Sequence, residues 1–500
     1  MRMTTTNLST LFAQIPKSPL PRPPLPKLRF PSPSHNFHVL MSTVHGSSAS
    51  SDPLSGPWLS VPGLRLRDHR FTLPLDYSHH SSSTISVFAR ELVSAGKEND
   101  QLPYLLYLQG GPGFESPRPT ESSGWINKAC EEFRVILMDQ RGTGLSTPLT
   151  PSSMSQFHSP QALADYLTYF RADSIVNDAE IIRMHLVPDA KPWTILGQSY
   201  GGFCAVCYLS LAPKGLKQVL ITGGLPPITN GCSADDVYRA CSEKVIVQND
   251  KYYQRYPQDL DLVRDVVKYL EESEGGGVPL PSGGILTARG LQALGLSGLG
   301  ASSGFERLHY MLERVWDPIL VPGAPKRISY FFLKAFEDWL SFDTNPLYAL
   351  LHEPIYCQGA SAQWSAHRII ADNEDKFDAI KAAKENRPVY FTGEMVFPWM
   401  FDEIHVLRPF KEAAHILAEK DDWPPLYDTV ALNHNEVPVA AAVYYDDMYV
   451  NFKLSMETAS QIAGIRLWIT NEYMHSGLRD AGGQVLDHLF GMLNGKSPVF

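Results

Sequence analysis

A serine flanked by glycines carries the clearest chemistry in this sequence. Residues 197–201 read Gly-Gln-Ser-Tyr-Gly, after an apolar stretch over 193–196 and before another over 203–211. The pattern predicts a strand, a sharp turn and a helix, in which small flanking residues permit a strained backbone that lifts the Ser199 hydroxyl above the sheet edge. The turn also places the Tyr200 N–H at a helix start, where it is suited to stabilise an oxyanion. Ser199 is therefore the predicted nucleophile.

A glycine-rich loop lies upstream of this serine. Residues 109–113 read Gln-Gly-Gly-Pro-Gly and follow a predicted strand over 104–108. Glycines after a strand leave backbone N–H groups free to point at a substrate oxygen, so Gly110 and Gly111 are the candidates for the second oxyanion donor. A second Gly-x-Ser-x-Gly pattern at 300–304 follows no apolar strand, and its serine is not predicted to be a nucleophile.

A serine nucleophile needs a base, and the base needs an orienting carboxylate. His475 lies in a loop directly after the predicted strand 466–470, at the carboxyl edge of the sheet where such a base belongs. The predicted strand 437–445 ends in two carboxylates, Asp446 and Asp447. Both precede the histidine, as the serine–acid–histidine order of this type of site requires. We favour Asp447 as the acid, with Asp446 as the alternative.

The elements that must position these residues follow the rhythm of an α/β fold with a mainly parallel sheet. A helix is predicted over 161–186, with Asp173, Asp178 and Glu180 on its solvent side, and another over 481–493. The predicted strands are 66–76, 84–92, 104–108, 134–138, 193–196, 218–222, 437–445 and 466–470.

The rhythm of the sequence changes near residue 228. Residues 233–273 and 305–385 have mostly helical patterns with aromatic-rich faces. We interpret 228–430 as a large helical cap inserted into the α/β part of the chain. The α/β core then consists of two segments, 58–227 and 431–500.

The composition excludes several classes of function. Hydrophobic residues make up 44% of the 500 residues and the net charge is −10, which indicates a globular chain and argues against nucleic-acid binding. No apolar run reaches the length of a membrane span, so no membrane association is predicted. Cys204 and Cys207 form a single C-x-x-C with no second ligand pair, and no dinucleotide motif is present. We therefore predict no metal site and no cofactor.

Residues 1–51 differ from the rest of the chain. They contain no Asp or Glu, several Lys and Arg, and many Ser, Thr and Pro, a composition that cannot easily form a packed core. A basic, Ser-rich, acid-poor N-terminus is typical of an organelle transit peptide. We expect a disordered segment that directs import into a plastid (chloroplast) or mitochondrion. A start at Met41 would instead give a cytoplasmic form.

Several ordered motifs resemble the proline iminopeptidase (prolyl aminopeptidase) group of α/β-hydrolases, and in particular its members with larger caps. The resemblance covers about 58–490. It implies an α/β-hydrolase fold, with a mostly parallel sheet flanked by helices and a large inserted helical cap. The motifs are Gln-Gly-Gly-Pro-Gly at 109–113, Asp-Gln-Arg-Gly-Thr-Gly at 139–144, Gly-Gln-Ser-Tyr-Gly-Gly at 197–202, Thr-Gly-Glu-Met-Val-Phe-Pro-Trp-Met at 392–400, Tyr-Tyr-Asp-Asp-Met-Tyr at 444–449 and Glu-Tyr-Met-His-Ser-Gly at 472–477.

The resemblance also implies an activity. It is that of a serine exopeptidase, which releases an N-terminal residue, preferentially proline, from a peptide with a free N-terminus through an acyl-enzyme intermediate. Members of the family use cap glutamates to bind the substrate ammonium; Glu394 is the first candidate for that role and Glu115 the second. Phe397 and Trp399 are candidates for a pocket around the proline ring. The family has His where this chain has Gln109, which leaves the hydrogen bonding of the glycine loop open.

Two other functions are compatible with the same residues. A carboxylesterase or amidase would share the triad and the acyl-transfer chemistry, because a fold does not set the substrate; an essential cap carboxylate would favour the aminopeptidase. A non-catalytic binding protein with a hydrolase fold is the second alternative, although it would not need a serine, an acid and a histidine in suitable places. The sequence does not indicate an oligomeric state.

Overall fold

The fold is described by a computed structural model over residues 54–79, 83–229 and 232–496, and within these ranges it is built on a ten-stranded sheet. A separate two-stranded hairpin is formed by β9 and β10. The strands are β1 (Leu54–Ser55), β2 (Leu59–Val61), β3 (Leu64–Pro74), β4 (Thr84–Ser94), β5 (Tyr104–Leu108), β6 (Arg134–Met138), β7 (Trp193–Gln198), β8 (Leu216–Thr222), β9 (Gly277–Pro279), β10 (Ile285–Thr287), β11 (Val439–Tyr444) and β12 (Ile465–Thr470).

The order of strands in the large sheet is β1-β3-β4-β6-β5-β7-β8-β11-β12, with β2 paired to β3. The strands up to β4 pair antiparallel, whereas β6, β5, β7, β8, β11 and β12 pair in parallel. Strands β6 and β11 are buried along their whole length, as expected for parallel strands covered on both faces. The carboxyl ends of β5, β7, β11 and β12 therefore meet at one edge of the sheet, where the predicted functional loops begin.

Helices cover both faces of this sheet. Side chains of α3 and α4 pack on one face, and those of α1 and α19 pack on the other. The helices are α1 (Gly124–Cys130), α2 (Pro160–Leu167), α3 (Ala172–Leu186), α4 (Tyr200–Leu211), α5 (Ala234–Arg255), α6 (Asp259–Glu272), α7 (Ala288–Gln292), α8 (Gly295–Gly298), α9 (Gly304–Leu312), α10 (Tyr330–Leu340), α11 (Pro346–Leu351), α12 (Ser365–Asp372), α13 (Glu374–Phe377), α14 (Ala379–Lys384), α15 (Met400–Glu403), α16 (Lys411–Glu419), α17 (Thr429–Asn433), α18 (Phe452–Ala459) and α19 (Gly477–Leu493).

The prediction of a single helix over 161–186 is wrong, because the helical conformation is interrupted between α2 and α3. Arg171 separates them in an extended conformation, with φ −87° and ψ 178°. Its buried guanidinium donates to the carbonyl oxygens of Cys357 at 2.8 Å and Pro424 at 3.3 Å, and it lies over the Trp423 ring. The break therefore comes from contacts with distant segments that periodicity does not reveal.

Two of the three acids predicted on the solvent side of this segment are buried, and Asp173 is half-buried. Asp178 is fully buried, and the Arg141 guanidinium donates to both of its carboxylate oxygens at 2.6 and 2.8 Å. Glu180 is buried too, and it accepts from Arg183 at 2.7 Å. Both acids are internal because each has an arginine partner that offsets the cost of removing a carboxylate from water.

The segment between β8 and β11 contains helices α5 to α17 and the β9–β10 hairpin. Many of its apolar side chains form a core apart from the two faces of the large sheet. The predicted helical stretch 233–273 corresponds to α5 and α6, while the predicted boundary at 430 falls inside α17. The cap over 228–430 remains the interpretation of this segment.

The predicted transit peptide over 1–51 lies outside the described residues. None of the helices in the described ranges is long and apolar enough to cross a lipid bilayer. Cys204 and Cys207 are fully buried on α4, and burial raises the pKa of both thiols. This pair is therefore part of the packing of α4 against the sheet.

Candidate active site

Ser199 occupies the turn between β7 and α4, as predicted. Its backbone has φ +55° and ψ −123°, a conformation that residues other than glycine rarely adopt. The turn is held by close backbone packing, since a Cβ added at Gly201 would lie 1.9 Å from the Leu108 carbonyl oxygen. A Cβ added at Gly197 would lie 2.4 Å from the Gly201 carbonyl oxygen. Glycine is therefore required on both sides of the serine.

The predicted oxyanion donors lie beside this serine. A Cβ added at Gly110 would be 3.0 Å from Ser199 Cβ, which places the glycine loop against the nucleophile. The N–H groups of Gly110 and Gly111 donate to no described residue. Tyr200 is the first residue of α4, where backbone N–H groups have no partner within the helix, and its ring is buried. These N–H groups are available to a substrate oxygen.

Asp447 and His475 form the acid–base pair. His475 Nδ1 donates to Asp447 Oδ2 at 2.7 Å, and Asp447 is buried. The other carboxylate oxygen, Oδ1, accepts from the N–H groups of Tyr449 at 2.8 Å and Val450 at 3.0 Å, which fixes its orientation. Burial alone would lower the pKa of His475, but the Asp447 carboxylate raises it above its ordinary value of 6.5.

Asp446, the alternative acid, points elsewhere. Its carboxylate lies 3.4 Å from Lys244 Nζ and 3.1 Å from Lys251 Nζ, and these lysines hold its pKa below the usual value although burial opposes them. The two adjacent carboxylates thus have different partners in the structure. Asp447 faces the histidine, and Asp446 faces α5.

Ser199 and His475 line one cavity of about 530 Å³ at the carboxyl edge of the sheet. No hydrogen bond joins the Ser199 hydroxyl to the imidazole in this structure; such contacts often tighten only when substrate binds. Residues that follow β8 in the chain form much of the rest of the cavity wall. Its lining includes Gln109, Gly110, Gly111, Gln198, Leu296, Gly300, Ala301, Arg307, Trp339, Tyr348, Glu394, Tyr449 and Arg479.

Glu394 lies in this cavity as a half-buried carboxylate. Its Oε1 accepts from the Tyr348 hydroxyl at 2.8 Å, and His352 Nε2 donates to its backbone carbonyl at 3.2 Å. Burial raises the pKa of the neighbouring hydroxyls of Tyr348, Tyr356 and Tyr449, and the charge of Glu394 adds to that rise. Among the described residues, no Lys, Arg or His side chain forms an ion pair with Glu394, so its charge is available to a ligand.

Glu115, the second candidate for the same role, does not line this cavity. Its side chain is half exposed and pairs with Arg118 at 2.9 Å. Phe397 and Trp399 also lie outside the cavity lining: the two rings stack at 5.4 Å, and Trp399 carries the Arg289 guanidinium at 5.0 Å. The structure therefore does not bring Glu115, Phe397 or Trp399 into the lining of the cavity that holds Ser199 and His475.

Two aromatic residues of the cavity were not predicted. The Tyr449 ring lies 4.7 Å from the His475 ring, and its hydroxyl donates to the Leu296 carbonyl. The Tyr348 hydroxyl donates to the Glu394 carboxylate. A signal for Tyr449 was present, since it lies two residues after Asp447; Tyr348 belongs to an aromatic-rich helical stretch without a distinguishing motif.

Gln109 also has a defined place. Its side-chain Oε1 accepts from the Tyr107 hydroxyl at 2.8 Å, and its carbonyl accepts from Gln140 Nε2 at 2.9 Å. These bonds tie the glycine loop to its own strand and to the loop after β6. The glycine loop therefore has a hydrogen-bonded anchor with glutamine at this position.

The sheet order, the serine turn and the Asp447–His475 pair define a serine hydrolase of the α/β-hydrolase class. The family model of the alpha/beta hydrolase fold matches residues 103–273. A proline iminopeptidase of Aeromonas sobria is 47% identical over 430 residues, covering 86% of this chain and 96% of the relative. The proline iminopeptidase aneH of Aspergillus aculeatus is 35% identical over 435 residues, covering 86% of this chain and 93% of the relative. The chain belongs to the proline iminopeptidase family.

Proposed function

We propose that this protein is a serine exopeptidase that releases an N-terminal residue, preferentially proline, from peptides. Family membership supports the reaction class. The observation that carries the substrate class is Glu394, a half-buried carboxylate without a basic partner in the cavity of Ser199 and His475. Partial removal of an unpaired carboxylate from water is costly, and the ammonium of a peptide N-terminus supplies the pairing charge.

In the first half of the reaction, the Ser199 hydroxyl attacks the carbonyl carbon of the N-terminal residue. His475 Nε2 takes the hydroxyl proton, because its Nδ1–H is committed to Asp447 at 2.7 Å. The N–H groups of Tyr200 and of Gly110 or Gly111 hold the oxygen that becomes negative. The protonated imidazole then gives its proton to the leaving nitrogen, the C–N bond breaks, and an ester with Ser199 remains.

In the second half, water attacks this ester. His475 Nε2 takes a proton from the water, the C–O bond to Ser199 breaks, and the serine oxygen recovers a proton from the imidazole. The products are a free amino acid and a shortened peptide. The ammonium site at Glu394 limits the reaction to one residue, since an N-terminal extension would place a neutral amide beside the carboxylate.

The test compares a prolyl arylamide that has a free amine with its N-acetylated counterpart, using the full chain. Wild type should cleave only the free-amine substrate, and Ser199→Ala should abolish that activity. Loss of the ion pair in Glu394→Gln should cost about 2–4 kcal/mol, which lowers kcat/KM roughly 30- to 1000-fold. Glu115→Gln is the matched control, because it removes an exposed carboxylate outside the cavity.

Three results would overturn parts of this proposal. Equal cleavage of both substrates by wild type would show an esterase or amidase without an ammonium site. Unchanged kinetics in Glu394→Gln would remove Glu394 from substrate binding. No turnover of either substrate by folded wild type would contradict the exopeptidase assignment and favour the binding-protein alternative.

A further inference from the structure

Two arginines lie at the solvent side of the cavity. Arg307 on α9 belongs to the segment between β8 and β11, and Arg479 lies in the first turn of α19; both are exposed and both line the cavity with Ser199. The Arg307 guanidinium lies 4.7 Å from the centre of the Trp339 ring, which also lines the cavity and orients this cation by a cation–π contact.

Neither arginine forms an ion pair with the acid next to it in the chain. Glu306, beside Arg307, pairs with Arg255, and Asp480, beside Arg479, accepts from the Ser302 and Ser476 hydroxyls. Within the described ranges, neither guanidinium forms an ion pair or a side-chain hydrogen bond. Two positive charges therefore face the cavity without partners.

The two ends of the cavity consequently carry opposite charges. Its negative group, Glu394, is half buried among tyrosines, whereas its two positive groups are exposed at the mouth. Arg479 is close enough to the catalytic centre for its charge to oppose the rise in the pKa of Tyr449, which contacts His475. A substrate that spans this field would place its ammonium inside and its anionic group outside.

We infer that Arg307 and Arg479 bind the C-terminal carboxylate of short peptides whose N-terminal ammonium is held at Glu394. This inference rests on the proposed function. The guanidinium group suits the role because its planar donors match both oxygens of a carboxylate. A cavity of about 530 Å³ encloses a ligand of small-molecule size, which agrees with a dipeptide or tripeptide better than with a long chain.

The test compares peptides that differ only in C-terminal charge: prolyl-glycine with prolyl-glycinamide, and the corresponding tripeptide pair. For the full-length wild type, kcat/KM should be higher for the acid than for the amide at one length or both, by roughly 5- to 30-fold for two solvent-facing arginines. The difference should appear mainly in KM and shrink with added salt.

The double variant Arg307→Gln/Arg479→Gln should reduce this ratio to near one, because the acids should lose more kcat/KM than the amides do. The matched control is Arg314→Gln, which removes a nearby cation that lies over the Phe331 ring and outside this cavity. The control should keep the wild-type ratio.

Several outcomes would overturn the carboxylate site. Equal cleavage of acids and amides by wild type, abolished in Ser199→Ala, would contradict the site while leaving the exopeptidase function intact. An equal loss of kcat/KM for acids and amides in the double variant would show that the arginines support the cavity and do not bind the carboxylate. Wild-type protein that cleaves no prolyl peptide would remove the proposed function and this site together.

Discussion

Replacement of Asp447 by Asn tests the acid–base pair with almost no change in shape. Asp447 Oδ1 accepts two backbone N–H groups, from Tyr449 and Val450. The amide oxygen of Asn must take this place, because an NH₂ group there would face two donors. The NH₂ group then takes the place of Oδ2, which lies 2.7 Å from His475 Nδ1.

This orientation puts His475 in the wrong tautomer. Nδ1 has to accept a hydrogen bond from the amide, so the proton moves to Nε2, which can no longer act as a base. Relative to wild type, the active tautomer in this variant lacks the charge-assisted hydrogen bond to the carboxylate and has an unsatisfied donor, at a combined cost of about 2.5–6 kcal/mol. We therefore expect kcat/KM to fall roughly 10²- to 10⁴-fold.

The pH profile gives a second readout. In wild type, kcat/KM should fall as the pH decreases through the pKa of His475, which lies above 6.5, because the protonated imidazole cannot accept the serine proton. Removing the Asp447 charge leaves burial as the main effect, and burial lowers this pKa. The residual activity of Asp447→Asn should therefore persist to lower pH.

The assay is steady-state hydrolysis of a free-amine prolyl arylamide over a pH series, with thermal melts to check folding. Asp446→Asn is the matched control: it changes the adjacent carboxylate, which pairs with lysines on α5, and should keep activity near the wild-type level. Activity of Asp447→Asn within tenfold of wild type, with a normal melt and an unshifted profile, would refute the assignment of Asp447 as the orienting acid.

Three further predictions concern backbone packing, a buried acid and the N-terminus. Gly201→Ala should destabilise the protein by more than about 3 kcal/mol, since the new Cβ would meet a backbone oxygen at 1.9 Å; Gly483→Ala, whose Cβ would meet nothing within 4 Å, should be neutral or slightly stabilising in a urea titration. Burial raises the pKa of Glu353 to about 7 from 4.5, so the stability it contributes is present below pH 4.5 and lost as the pH rises through 7. Glu353→Gln should remove this pH dependence, so its unfolding free energy relative to wild type should increase by up to about 3 kcal/mol between pH 4.5 and 8. Parallel curves of unfolding free energy against pH for the two proteins would contradict burial of Glu353 as the cause. Protein sequencing after import should find the basic N-terminal segment removed, and an intact Met1 would count against a transit peptide.

The sequence predicted eight of the ten strands in the large sheet, and the loops that follow them, because their signals are local; it did not predict β1, β2 or the β9–β10 hairpin. An apolar run followed by glycine marks the ends of β5 and β7, and a parallel sheet brings such ends to one edge. For the same reason, the local pattern was enough to place Ser199, Asp447 and His475 on their loops. The same pattern could not exclude Asp446, since both carboxylates follow the same strand and only their partners separate them.

The failures of sequence reasoning have a different origin. The break at Arg171 and the burial of Asp178 depend on partners far away in the chain, and periodicity over a short window does not include them. The loop at 300–304 could be excluded as a nucleophile turn, yet its position in the cavity lining depends on tertiary packing that the local sequence does not reveal. A Cβ at Gly300 would lie 2.2 Å from the Tyr449 ring, so the loop and that tyrosine are packed together.

Pairing separates Glu394 from the two buried carboxylates of α3. Asp178 and Glu180 are buried, and each is matched by an arginine, so their charges serve the fold. Glu394 is partly removed from water and receives a hydroxyl bond without a cationic partner among the described residues. Natural proteins tolerate such local violations mainly where a ligand completes the site. The strained backbone of Ser199 is another such violation at the same site. The paired assay of free and acetylated amines is therefore the most direct test of what Glu394 binds.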